Sequence, residues 1–346
     1  MHRLIKIAQH KKGNGVRIGI DLGGTKTEII CLDRNNGKEL YRQRVPTIHG
    51  SYDATVRTIA DLVVKAEKTL SMKGSIGLGI PGTISSRTGL IKNANSTWLN
   101  GRALDKDVEQ ALGRPIRVEN DANCLAVSEA TDGTGAGKSV VFGVIIGTGC
   151  GGGIAVNGKA LTGINGIGGE WGHNPLPYPR VFGKAGLPCE KFPDNKELLS
   201  DYFTDDPQTS EYPGVLCYCG RRGCIETWIS GTGFKKDYRR VTGEEISTHD
   251  IIAATQKGEP RAVAALGRYI SRLARALAYV INILDPDVIV LGGGMSNVQT
   301  LYETVPRLWK NYLFTDTIDT LLLPARYGDS SGVRGAAWLW TDADNE

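Results

Sequence analysis

Cys217, Cys219 and Cys224 stand two and then five residues apart, with Gly220 and Gly223 in the span that must turn back on itself. That spacing lets the backbone wrap round an ion and present three thiolates, which fits a tetrahedral zinc site in need of one more ligand. His173, in the glycine-rich stretch Gly169-Glu-Trp-Gly-His173, is the natural fourth. The other histidines, His2, His10, His49 and His249, read as packed or surface side chains. Zinc with four protein ligands is closed and structural, so it would not activate water. It would pin Glu170 and Glu226, two carboxylates able to accept hydrogen bonds from the hydroxyls of a ligand.

A second kind of chemistry is written in two glycine turns. Asp21-Leu-Gly-Gly-Thr-Lys26 offers backbone amides at Gly23 and Gly24, a hydroxyl at Thr25 and a carboxylate at Asp21. Phosphate oxygens suit the amides, and a hydrated Mg²⁺ suits the carboxylate. An ordinary hairpin turn reads equally well there. Gly147-Thr148-Gly149 repeats the equipment, and the two loops together would hold a polyphosphate. Neither is a Walker loop or a dinucleotide fingerprint in its usual setting, and the run Gly292-Gly293-Gly294 after a strand is weak support for a nicotinamide cofactor. Asp121, in Glu119-Asn120-Asp121-Ala-Asn123, follows a short strand and opens a helix. There it fits a cleft carboxylate and a helix cap alike.

The elements that must position these groups alternate along the chain. Strand 17–21, the turn and strand 27–33 form a hairpin, and 140–146, 147–153 and 154–156 repeat that design. Val56, Ile59, Val63, Ala66 and Leu70 predict a helix starting near Ser51 or Asp53, followed by a strand at 75–80. Leu266 to Leu284 marks a long helix that ends before Asp285-Pro286, ahead of a buried strand at 288–291. The fold class is therefore α/β, with two strand-rich lobes. Residues 178–212, rich in proline and without period, read as a surface insert, and residues 1–15 as a frayed extension.

The chain has 346 residues, 40% of them hydrophobic, and a net charge of +4 with no dense basic run, which argues against nucleic-acid or membrane partners. With no apolar span and no leader pattern at its start, it is expected in the cytoplasm. Seven unevenly spaced cysteines argue against a secreted disulfide framework.

The motifs GIDLGGTKTE (19–28), GIPG (79–82), KNANSTWLNG (92–101), ENDANCLAVSEA (119–130), IIGTGCGGG (145–153), GEWGHNPLP (169–177), CYCGRRGCIET (217–227) and LDPDVIVLGGGMSN (284–297) resemble the ROK family (repressor, open reading frame, kinase). Within it they are most similar to the fructokinases, over residues 17–340. The resemblance implies an actin-like, ribonuclease H-like two-lobed sugar kinase fold with nucleotide and sugar in a cleft. The lobes would span 16–128 and 129–325, with 326–346 packing back on the first. ATP and Mg²⁺ would be held by Asp21, Gly23, Gly24, Thr25, Lys26, Gly147, Thr148 and Gly149, and adenosine by Gly292, Gly293 and Gly294. Asp121 would be the catalytic base. Gly82, Asn95, Asn120, Glu170, His173 and Glu226 would meet the sugar, and structural zinc would sit on His173, Cys217, Cys219 and Cys224, with one nitrogen of His173 facing each. The expected reaction is phosphorylation of a hexose 6-hydroxyl by ATP in a homodimer. Fructose is the first expectation, then mannose and glucose, with N-acetylhexosamine kinase or glucokinase as alternatives. A ROK repressor would carry a DNA-binding domain, for which about sixteen residues leave no room.

Overall fold

The computed structural model describes residues 15–182 and 203–341. The expected extension and the centre of the expected insert lie outside them. Packing divides the chain into Met1–Asp121 with Val333–Glu346, and Ala122–Gly332. The sequence reading draws these boundaries at 128/129 and 325/326.

In the first unit β1 (Val16–Leu22), β2 (Lys26–Asp33), β3 (Glu39–Pro46), β4 (Gly74–Ile80) and β7 (Arg117–Asn120) form one sheet in the order β3-β2-β1-β4-β7. The first three strands are antiparallel neighbours, while β1, β4 and β7 run parallel. A small ribbon, β5 (Thr83–Ile84) with β6 (Ile91–Lys92), follows β4. Helix α1 (Tyr52–Leu70) is capped by Ser51, whose hydroxyl accepts from Ala54 N at 3.3 Å. It buries Ile59, Leu62, Val63 and Ala66 with Ile18, Ile20 and Leu78 of the sheet. Helix α2 (Leu104–Leu112) adds Leu104 and Val108 to the same core.

The period of two in a strand sends alternate residues of β1 to opposite faces, and at the centre of the second face stand Gly19 and, on β4, Gly77. A Cβ on Gly19 would lie 2.1 Å from Val333 O, and one on Gly77 would lie 1.9 Å from Ala336 O. The C-terminal residues therefore lie directly on the sheet backbone, closed over by Ile30, Leu32, Val333 and Ala337.

The second unit repeats the plan. Helix α3 (Asp121–Thr131) leads in from the first unit. Then β8 (Val140–Ile146), β9 (Cys150–Val156), β10 (Lys159–Ala160), β13 (Val288–Gly292) and β14 (Leu321–Pro324) form a sheet ordered β10-β9-β8-β13-β14, with the same parallel and antiparallel sense. Gly143 and Gly153 admit α3 closely, a Cβ on Gly153 falling 2.2 Å from Ala122 O. The other face, with Phe142, Val144 and Ile146, packs in one core with Leu273, Leu277 and Ile281 of the long helix Pro260–Leu284. That helix starts at a proline, as its fixed φ favours, and ends at Asp285 in the left-handed region. Among the described residues no helix is long and apolar enough to cross a membrane.

Of the expected 178–212 insert, the two described ends meet. Strand β11 (Val181–Phe182) pairs with β12 (Phe203–Thr204), and Glu211 exchanges hydrogen bonds with the backbone of Arg180. Glu211 is buried on Arg272 and Arg275 of the long helix at 2.7 and 2.9 Å, and Arg275 also donates to the carbonyls of Pro177 and Tyr178. Arg272 continues to Asp237 at 3.0 Å. Burial opposes ionisation of Glu211 and Asp237, but the guanidiniums overcome it and hold both carboxyls down to about 2.

Candidate active site and zinc centre

In the first unit the parallel strands β1, β4 and β7 end on one edge of the sheet, where α/β folds place their ligands. Asp21 stands near the end of β1, and Asp121 follows β7 as the first residue of α3. The two carboxylates are neighbours. Burial, then Asp121 and Glu28, push the Asp21 carboxyl up to about 7 against the pull of Lys26 and Arg44. The Gly23 amide closes the turn on Lys26 O at 3.0 Å, and a Cβ on Gly23 would lie 2.8 Å from that oxygen. Thr25 and Lys26 are exposed. Buried Thr47 fastens the turn from outside the motif: its hydroxyl donates to Gly23 O at 2.8 Å and its amide to Thr25 O at 3.0 Å.

Between the two aspartates, Asn120 donates to Gly82 O at 3.1 Å. Gly82 has φ +135°, and a Cβ there would sit 2.8 Å from Lys92 O and 2.9 Å from Ala94, so only glycine fits. The Asn100 amide bonds both backbone groups of Ala94 at 2.9 Å, which presents the next residue, Asn95, to solvent.

In the second unit Gly147-Thr148-Gly149 joins β8 to β9. Gly147 O accepts from Gly231 N at 2.8 Å, where the helix Gly231–Thr242 begins. Gly293, with φ +80°, would place a Cβ 2.6 Å from Ile146 O. The run Gly292 to Gly294 thus lies against the start of the 147–149 loop. Glu226 closes the group from below: its carboxylate accepts from Cys150 N at 2.9 Å, and a Cβ on Gly149 would meet it at 2.7 Å.

The 169–173 stretch packs on β9. A Cβ on Gly172 would lie 2.2 Å from Cys150 O and one on Gly152 2.7 Å from Trp171. Trp171 is a core residue edge-on to Phe142, its indole N–H bonded to Gly151 O. Backbone bonds from Leu176 N to Gly223 O and from Ile225 N to Asn174 O, both 2.8 Å, lay this stretch beside the cysteine turn.

The donor atoms of His173, Cys217, Cys219 and Cys224 lie within 4.8 Å of one another. Cys217 Sγ is 3.6 Å from His173 Nδ1, and Cys219 Sγ is 3.6 Å from Cys224 Sγ. A tetrahedron with zinc bond lengths has edges of about 3.6 Å (S to N) and about 3.8 Å (S to S), so the four residues fit the ion. The Arg221 amide lowers the Cys219 thiol and burial raises Cys224. The other His173 nitrogen, expected to face sugar, is met at 2.9 Å by the hydroxyl of Tyr218, a residue that no sequence signal marks.

A model of the ROK family matches residues 17–343. The chain is 37% identical over 321 residues to an N-acetyl-D-glucosamine kinase of Yersinia enterocolitica, covering 93% of this chain and 98% of that protein. Among solved structures it is similar to a ROK hexokinase from Thermus thermophilus, with TM-score 0.76 and 28% identity over 94% of this chain and 97% of that one. It is also similar to a ROK glucokinase from Streptomyces griseus solved with glucose and AMPPNP, with TM-score 0.69 and 26% identity over 93% and 98%. The mixed α/β sugar kinase fold expected from the sequence is the fold of these proteins.

Proposed function

This chain belongs to the ROK family and is a sugar kinase, and on that premise we propose that it transfers the γ-phosphoryl group of ATP to the 6-hydroxyl of N-acetyl-D-glucosamine. The observation that carries phosphoryl transfer is the pair Asp21 and Asp121 on one sheet edge, one close enough to raise the other's pKa. The choice of sugar rests on the relatives, which favour the N-acetylhexosamine alternative over fructose.

Asp121 takes the proton of the 6-hydroxyl as its oxygen attacks the γ-phosphorus. Phosphoryl transfer needs little more than positioning and charge neutralisation. Gly23, Gly24, Thr25 and Lys26 hold phosphate from one turn, Gly147, Thr148 and Gly149 from the other, and Gly292 to Gly294 take the adenosine. Asp21 would hold Mg²⁺, which when bound would supply charge to neutralise the phosphates. Asn120, with Gly82 and Asn95 beside it, and Glu170 and Glu226 accept from or donate to the sugar hydroxyls, while His173, with Tyr218 on its second nitrogen, reaches the sugar only through that tyrosine. His173, Cys217, Cys219 and Cys224 would hold zinc, which when bound would supply rigidity alone to the segments that bear Glu170 and Glu226.

A coupled ATP assay across N-acetylglucosamine, N-acetylmannosamine, glucose, mannose and fructose tests the reading. The expected result is the highest kcat/KM with N-acetylglucosamine. A preference for fructose would restore the first expectation.

A further inference from the structure

Tyr218 stands between two zinc ligands of the chain and yet is 82% exposed. Its place is set all the same. The backbone on either side is held by Cys217 and Cys219, and its ring lies edge-on to that of His173, with centroids 5.1 Å apart and planes at 86°. Its hydroxyl meets His173 Nε2 at 2.9 Å. The carboxylates of Glu226 and Glu170 lie within electrostatic reach of it. The contact with His173 fixes the ring in one orientation and leaves most of it open to a ligand.

His173 Nδ1 faces Cys217 Sγ at 3.6 Å, and a metal held there would leave the imidazole proton on Nε2, so that His173 would donate to the Tyr218 oxygen. The phenol O–H then points elsewhere as a donor. Beside it the ring offers an open apolar face. An acetamido group carries what these two features recognise, a carbonyl oxygen to accept and a methyl to lie on the ring. A bare hydroxyl at the same carbon supplies neither reach nor methyl.

We propose that Tyr218 is a specificity-determining residue that contacts the acetamido group of the sugar, its hydroxyl donating to the amide carbonyl and its ring face taking the methyl. This rests on the assigned sugar and deepens it, since it says how the protein tells an N-acetylhexosamine from glucose.

The test uses the zinc-loaded protein as wild type, Tyr218→Phe and Tyr218→Ala. Sugar affinity is measured by calorimetry without nucleotide and kcat and KM with MgATP, for N-acetylglucosamine and for glucose, with zinc content and Tm as controls. Tyr218→Phe is expected to raise Kd and KM for N-acetylglucosamine about three- to tenfold through loss of one hydrogen bond. Tyr218→Ala is expected to add roughly threefold to tenfold more through loss of the ring. Glucose values and kcat for both sugars stay within about threefold. Equal weakening of both sugars, or of neither, overturns the proposal. Should Tyr218→Ala lose zinc, Tyr218→Phe decides alone. A wild type that prefers glucose overturns the assigned sugar whatever the variants do, whereas a wild type that prefers N-acetylglucosamine with unchanged variant ratios overturns Tyr218 alone.

Discussion

Exchanging Asp121 for asparagine keeps the size of the side chain and its place at the start of α3 while removing the base. The expected result is a fall in kcat of about 10² to 10⁴-fold with sugar affinity nearly unchanged, read by steady-state kinetics beside calorimetry. Near-normal turnover would return Asp121 to helix capping. At this scale the sequence is legible where residue type is itself unusual: three cysteines in a glycine turn, or an aspartate between a strand and a helix. Thr47 and Tyr218 escaped because a threonine after a strand and a tyrosine between cysteines carry no such mark, and only the fold brings them to Gly23 and His173.

Each sheet admits a close neighbour at glycines set in the middle of one face. Gly77→Val sets a branched side chain where even a Cβ would be 1.9 Å from the Ala336 carbonyl. It is expected to cost about 3 kcal/mol or more in urea unfolding, at the upper end of overpacking. A variant as stable as the parent would show that the C-terminal residues do not need that contact. The alternation Ile18-Gly19-Ile20 and Ile76-Gly77-Leu78 announced a strand by its period, but nothing in it says which helix covers the glycines. The cysteine turn is an element of the same kind, short and without a core of its own. Cys219→Ser is expected to lose zinc and lower Tm by about 5 °C, while raising KM for the sugar through freer movement of Glu226. Metal analysis and calorimetric scanning check this, and full zinc content in the variant would refute the ligand set. The charged residues Arg272 and Arg275 were illegible for a different reason. On an amphipathic helix an arginine reads as solvent-facing, yet these two are buried on Glu211 and Asp237, at the ends of an insert whose partners are distant in sequence.

For the molecule as a whole, that ion cluster sets an acid limit. Glu211 and Asp237 have ordinary values of 4.5 and 3.8 and stand at about 2 in the folded chain. The folded state therefore binds fewer protons than the unfolded one in this window. The stability they give is complete above about pH 4.5 and is lost as pH falls toward 2. Urea midpoints are expected to drop across that interval, and Glu211→Gln to flatten the drop. Arg275→Met, which takes one of two guanidiniums from the buried Glu211 carboxylate and leaves it only Arg272, is expected to cost about 3 kcal/mol at neutral pH, and a parent-like midpoint would contradict it. The repeat of one sheet order in both units was foreshadowed by the two glycine hairpins, because each hairpin is the start of its own sheet. The return of residues 333–341 to the first sheet has a temporal side. Strands β1 and β4 leave the ribosome long before Val333 and Ala336 are made, so their glycine face stays bare while the second unit, continuous from 122 to 332, can complete itself. The first unit to be synthesised is the last to be finished, and limited proteolysis of stalled nascent chains would find residues 15–121 labile until the final few dozen amino acids have emerged.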